Sequence, residues 1–223
     1  ALRHSGEAAP ATVEPAKPSE EPVAPELDYE RLAVGTQLKK YVIDKRLGKR
    51  GAFGVVYKAI DTLGDVSRAI KLILRDRHST LDRLKKEYRT LLRTPEHPYV
   101  VRVFDADLLP SGIPFIVFEY VDGIDVAEMI EIGGFALEDA VDLAKQVAQG
   151  LAHLHENGVY HCDIKPRNLI WTDRGVKIID FNVSVLATDE NGSGGGSRRY
   201  LPPDLDLSQV QQPGDLIDRD VYA

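Results

Sequence analysis

HCDIKPRNLI, residues 161–170, decides how the rest of the chain is read. It sets Asp163, Lys165 and Asn168 at short fixed spacing. A carboxylate can orient an incoming hydroxyl, an ammonium can steady a phosphoryl group by point charge, and a carboxamide oxygen can hold a metal ion. Further along, KIIDFN ends an apolar strand on Asp180, a second hard-oxygen ligand. Four polar groups coupled in this way point to phosphoryl chemistry with a divalent cation. His161 lies beside Cys162, but neighbours in sequence do not define a thiol nucleophile and its base. A structural histidine under the loop, bonded to backbone, is the expected role.

Upstream, LGKRGAFGVVYKA carries Gly48, Gly51 and Gly54 between two strands. Such a turn lets backbone N–H groups approach phosphate oxygens. A plain hairpin would accept the same glycines. Val56, placed to cover a base, and Lys71 in AIKLI sharpen the assignment. Lys71 sits between Ile70 and Leu72, so if it faces inward it needs an anionic partner. Glu87, in the middle of the following amphipathic segment, is the natural one. Glu96 is a poorer candidate because it lies in a loop bounded by Pro95 and Pro98.

The segments around these motifs alternate in character. Residues 1–27 are rich in Ala, Pro and Glu, with prolines at 10, 15, 18, 22 and 25, and read as a disordered linker. YVIDKRLG, GVVYKAI and SRAIKLIL then read as strands. A helix follows from Ser79 to Arg93, and VVRVFDADL and PFIVFEYV are two more strands. From Val126 the pattern turns helical, with one short helix and one long helix ending at Gly158. NLIWTD and GVKIID form a strand pair. DRDVYA, after the glycine-rich run ENGSGGGS, opens another helix. The chain has 223 residues, net charge −7 and one cysteine. This excludes an internal disulfide and argues against a broad nucleic-acid surface. No apolar run approaches membrane-spanning length, and the start is not a signal peptide, so a cytoplasmic setting is expected.

With these residues in place, the chain resembles the eukaryotic-like (bacterial Hanks-type) serine/threonine protein kinase family. The resemblance covers roughly residues 38–223. It rests on the glycine loop, Lys71, Glu87, the catalytic loop and Asp180, with RRYLPPD where the family has its APE-type motif. It implies an α+β bilobal kinase-like fold. Residues 28–121 would form an N-lobe of antiparallel sheet with one helix, and residues 122–223 a mostly helical, incomplete C-lobe. The implied cofactors are ATP and Mg2+. Gly48, Gly51, Gly54, Val56, Ala69, Lys71, Phe118, Glu119 and Val121 would surround the nucleotide, with Phe118 as gatekeeper and Glu119 and Val121 at the hinge. Asp163, Lys165, Lys71 and Glu87 would be catalytic, and Asn168 and Asp180 metal ligands. Leu91, His161 and Phe181 would stack between the lobes, Asp220 would anchor the catalytic loop, and Ser197 would contact Asp163 and Lys165.

Four departures stand out. The glycine loop has one extra residue near Lys49 and Arg50. Cys162 replaces the family's arginine, so a switch through a phosphate salt bridge is not expected. Asn182 replaces glycine. The C-lobe stops at Ala223, leaving Asp204 without its usual arginine partner, which reads as a piece of a larger multidomain protein. The implied activity is transfer of the ATP γ-phosphoryl group to Ser or Thr of protein substrates, with neighbouring domains, a homo-oligomer or autophosphorylation as further partners. Neither membrane nor nucleic-acid binding is expected. The runner-up is a nucleotide-binding pseudokinase or regulatory module, and a small-molecule phosphotransferase is third.

Overall fold

A computed structural model describes residues 27–48, 54–74, 88, 91–180, 185–186 (backbone only), 197–205 and 212–223. Expectations that fall on Gly51, Ser79, Glu87, Phe181 and Asn182 lie outside these residues.

The first half of the chain builds a six-stranded antiparallel sheet. Its strands are β1 Gln37–Leu38, β2 Tyr41–Leu47, β3 Gly54–Asp61, β4 Val66–Ile73, β5 Val103–Leu108 and β6 Pro114–Glu119, in the order β1-β2-β3-β4-β6-β5. The five longer strands follow the Val- and Ile-rich runs of the sequence. β1 has only two residues and no periodicity to betray it. It reaches β2 through a tight turn in which Lys39 adopts φ 53°.

Strict alternation gives the sheet two different faces. Val55, Tyr57, Ile70, Leu72, Phe115 and Val117 point to one side and form a core with Leu38 and Ile43. Val56, Lys71 and Ile116 are cross-strand partners, as are Lys58, Ala69 and Phe118, and these point to the other side. Phe118, Ala69 and Ile116 there join a second core with Leu151, Leu154, Leu169 and Ile178 from the second half. One face therefore holds the sheet together and the other belongs to a shared cleft. Each buried aliphatic or aromatic side chain contributes about 1.5–3 kcal/mol. Gly54 opens β3 where a Cβ would stand 1.8 Å from the Leu72 carbonyl oxygen, so no other residue fits there.

The second half is led by helices. Asp125 caps α1, Val126–Glu131, by accepting the Glu128 N–H at 2.8 Å. The long helix α2, Leu137–Glu156, buries Gly150, Leu151 and Leu154 and ends just before Gly158, whose φ of 70° reverses the chain. β7 Ile124–Asp125, β9 Leu169–Thr172 and β10 Gly175–Ile178 form a three-stranded sheet, while β8 Val159–Tyr160 pairs with β11 Val185–Leu186. The last helix, α3 Pro213–Tyr222, starts at a capping box between Gln212 and Asp215 and buries Leu216, Arg219 and Asp220 along one face.

The two halves are tied together by main chain. Val101 N–H donates to Ile178 O at 2.9 Å, and Ile178 N–H to Tyr99 O at 2.8 Å. His97 stacks on His153 of α2 at 4.8 Å, and His153 Nε2 donates to Pro95 O at 2.8 Å.

Candidate active site

Residues 161–168 run between β8 and β9, and the side chains of His155, His161, Arg219 and Asp220 shape their path. Cys162 adopts φ 62°, a left-handed conformation costing about 1–2 kcal/mol for a residue with a Cβ. The surroundings fix it from both sides. Asp220 Oδ2 accepts the His161 N–H at 2.8 Å, and Oδ1 accepts the Cys162 N–H at 2.6 Å. On the other side of the same residue, Arg219 Nη2 donates to Cys162 O at 2.7 Å. Arg219 and Asp220 are 1% and 2% exposed. His155 from α2 adds Nε2 to Asp220 Oδ2 at 2.9 Å. His161, fully buried, accepts the Asp163 N–H on Nδ1 at 3.3 Å and donates from Nε2 to Ile179 O at 3.0 Å.

This clamp presents Asp163. Lys165 Nζ lies 2.5 Å from its Oδ2, and the Ser197 N–H donates to its Oδ1 at 2.8 Å. Lys165 Nζ also reaches Ser197 Oγ at 3.0 Å. Asn168 Nδ2 donates to Asp163 O at 2.9 Å and Oδ2 at 3.3 Å. Burial alone would raise the Asp163 carboxyl. The Lys165 ammonium and the bonds from Ser197 outweigh it and hold the group below the usual carboxylate range.

Lys71 enters from the cleft face of β4. It is 6% exposed, and its Nζ sits 2.7 Å from Asp180 Oδ1. Asp180 follows β10 with φ 71°, which turns the chain as it leaves the strand. The adjacent Ile179 N–H donates to Asn168 O at 2.9 Å. Lys71, Asp180, Asn168, Asp163, Lys165 and Ser197 are thus joined in one continuous array across more than 120 residues of chain. The expected partner of Lys71, Glu87, lies outside the described residues. Glu96 is engaged elsewhere, with Arg102 at 2.9 Å.

The other expected residues fall around this array. Gly48 closes β2 and Gly54 opens β3, and Val56, Ala69 and Phe118 lie on the cleft face. Val121 and Leu91 pack against the shared core. The Glu119 N–H is bonded to Arg102 O at 2.9 Å, and its carboxylate pairs with Lys177 at 3.0 Å, pinning the end of β6 to β10. Sequence reasoning misses that pair, the His155–Asp220 contact and Arg219. A buried, helix-borne arginine has no sequence signature apart from the apolar face it shares with Leu216.

A cavity of about 590 Å³ lies away from the array, against Leu92, His97, Val103 and Leu154. Its charged lining residues include the Glu96–Arg102 and Glu119–Lys177 pairs, and none of the converging residues lines it. Its size gives it no claim on the chemistry.

The donor set of the array suits a hard divalent cation. The bonds made by Asn168 use Nδ2, which leaves its amide oxygen for a cation, and Asp180 supplies a carboxylate. Two protein oxygens fit magnesium, which keeps water and phosphate oxygens as its other ligands.

A sheet-rich half and a helical half meet at this array. Residues 41–219 match the protein kinase domain family, and the chain belongs to that family. It is 31% identical over 186 residues to a probable serine/threonine-protein kinase, pknA2, of Bifidobacterium longum, covering 78% of this chain and 24% of that protein. It is 33% identical over 180 residues to CBL-interacting protein kinase 9 of rice (Oryza sativa subsp. japonica), covering 76% of this chain and 39% of that protein. The chain therefore spans well under half the length of these relatives. Among solved structures, a point mutant of the PknI kinase domain of Mycobacterium tuberculosis superposes with a TM-score of 0.58 at 27% identity, over 68% of this chain and 62% of that one. The bilobal α+β expectation agrees with this likeness. No helix among the described residues is long and apolar enough to cross a membrane.

Proposed function

We propose that this chain binds ATP with Mg2+ and transfers the γ-phosphoryl group to serine or threonine hydroxyls of protein substrates, in the cytoplasm. Residues 28–121 serve as the smaller lobe and residues 122–223 as the larger. The observation that carries this reading is the unbroken array from Lys71 to Ser197. A binding module without catalysis has no chemical need for a carboxylate held ionised beside a lysine and a serine at the mouth of the same cleft.

Each residue then has a task. The cleft face with Val56, Ala69 and Phe118 encloses the base, and main chain near Glu119 and Val121 meets its polar edge. Lys71 sets positive charge against the phosphates. Asn168 and Asp180 would hold the cation, which would supply positive charge against the phosphate oxygens. Asp163 orients the acceptor hydroxyl, and Lys165 balances charge on the phosphoryl group in transit.

The test is ATP turnover and transfer to a serine peptide by the full-length protein, with and without magnesium. Lys71→Ala should lower kcat/KM for ATP about a hundredfold. Tight nucleotide binding by the unaltered protein with no transfer to any acceptor would favour the pseudokinase reading instead.

A further inference from the structure

Two short 3-10 turns meet beside Asp163. One, Pro166–Asn168, starts from Lys165, and the other, Arg198–Tyr200, starts from Ser197. Their starting residues touch, Lys165 Nζ to Ser197 Oγ at 3.0 Å, and both are bonded to the Asp163 carboxylate. Each turn then presents arginine. Arg198 is one Cα step, about 3.8 Å, from Ser197, while Arg199 and Arg167 are at most two steps, about 7.6 Å, from Ser197 and Lys165. All three arginines are exposed.

The inner cations of the site already have partners. Asp180 holds Lys71, and Asp163 holds Lys165. The outer ones are differently placed. Among the described residues no carboxylate pairs with Arg198 or Arg199. Among the described residues Arg167 pairs with Glu131 alone, at 3.4 Å, and the two side chains are 66% and 69% exposed. Such a surface pair holds little energy and yields readily to a better partner. The chain as a whole carries a net charge of −7, whereas these two turns carry three exposed arginines and no carboxylate. These arginines would draw anionic segments here and repel cationic ones.

An acceptor hydroxyl that reaches Asp163 carries its flanking residues past these turns. The geometry points to an acceptor segment bearing anionic side chains within a few residues of the hydroxyl, recognised by Arg167, Arg198 and Arg199. Guanidinium groups bind carboxylate and phosphate alike in a two-pronged fashion, so aspartate, glutamate and phosphorylated serine or threonine all satisfy the site. This inference rests on the kinase reading and adds the substrate class to it.

The test uses the full-length protein and four peptides with the same central serine, flanked by Glu, phosphoserine, Gln or Lys. The anionic peptides should exceed the Gln peptide in kcat/KM by about tenfold, mainly through KM, with the advantage shrinking as salt is raised. A larger advantage for phosphoserine than for Glu would identify previously phosphorylated segments as the preferred source of charge, and equal advantages would identify acidic residues as sufficient. Arg198→Glu/Arg199→Glu should invert the order and favour the Lys peptide. Equal use of all four peptides, or an order unmoved by the charge reversal, would overturn the inference while leaving the kinase reading intact. No transfer to any peptide and no ATP consumption would overturn both.

Discussion

Asp163→Asn is expected to slow phosphoryl transfer by about three orders of magnitude, with nucleotide affinity nearly unchanged. The substitution keeps the shape of the side chain and an acceptor for the Ser197 N–H. It removes the charge that faces Lys165 at 2.5 Å and turns an NH2 group toward an ammonium. Asp163 contacts Lys165, Ser197 and Asn168 but not Lys71, so nucleotide binding should survive. Single-turnover transfer together with a nucleotide titration separates the two effects. A variant that transfers at the unaltered rate would remove Asp163 from the mechanism.

The same carboxylate makes a pH prediction. Its pKa in the folded chain is lowered because Lys165 and Ser197 overcome the effect of burial. A low pKa makes it a weak base, which suits a loose transition state in which the hydroxyl proton leaves late. The linkage sign follows. With the folded value below the ordinary 3.8, the group's contribution to stability is complete above that pH and is lost as pH falls through the folded value. No acid limb in kcat/KM should arise from Asp163 near neutrality. Lys165→Met leaves burial unopposed by that cation, so the acid limb should climb toward neutral pH. A profile identical to that of the unaltered protein would contradict this account.

The second large effect is on stability. Asp220→Ala should destabilise the fold by about 3–5 kcal/mol, a large share of a domain's total of about 5–15 kcal/mol. Asp220 is 2% exposed and accepts from His161 N, Cys162 N and His155 Nε2. Alanine takes away all three acceptor contacts in a place water does not reach. It also removes bonds that offset the left-handed conformation of Cys162, so Cys162→Gly should recover part of the loss by lowering the cost of that conformation. Urea unfolding of the two single variants and the double variant measures this. A midpoint for Asp220→Ala within error of the unaltered protein would mean the clamp contributes nothing.

What the sequence discloses follows the reach of local patterns. Asp163, Lys165 and Asn168 lie within six residues and are legible together. The alternation of β3, β4 and β6 places Lys71 on a face distinct from its apolar neighbours. The contact between Lys71 and Asp180 is not legible in the same way, because the two lie 109 residues apart and no local rule connects them. Arg219 has the same difficulty in reverse. On a helix it passes for a solvent-facing charge, while in the fold it is buried and donates to the Cys162 carbonyl. β1 and β7, two residues each, are too short to show a period. In the sequence, Cys162 stands out only as a missing arginine. Its packing against Tyr160 and Leu216, and the clamp on its backbone, emerge only when three distant segments are brought together.

That packing has a practical consequence. Cys162 is the sole cysteine of the chain and is 2% exposed, one residue from Asp163. A thiol reagent reaches it only when the loop lifts off α3, so the rate of alkylation measures the opening of that loop and little else. The chain carries a single-site clock for breathing of the loop that holds Asp163, readable by mass spectrometry without any label being engineered in.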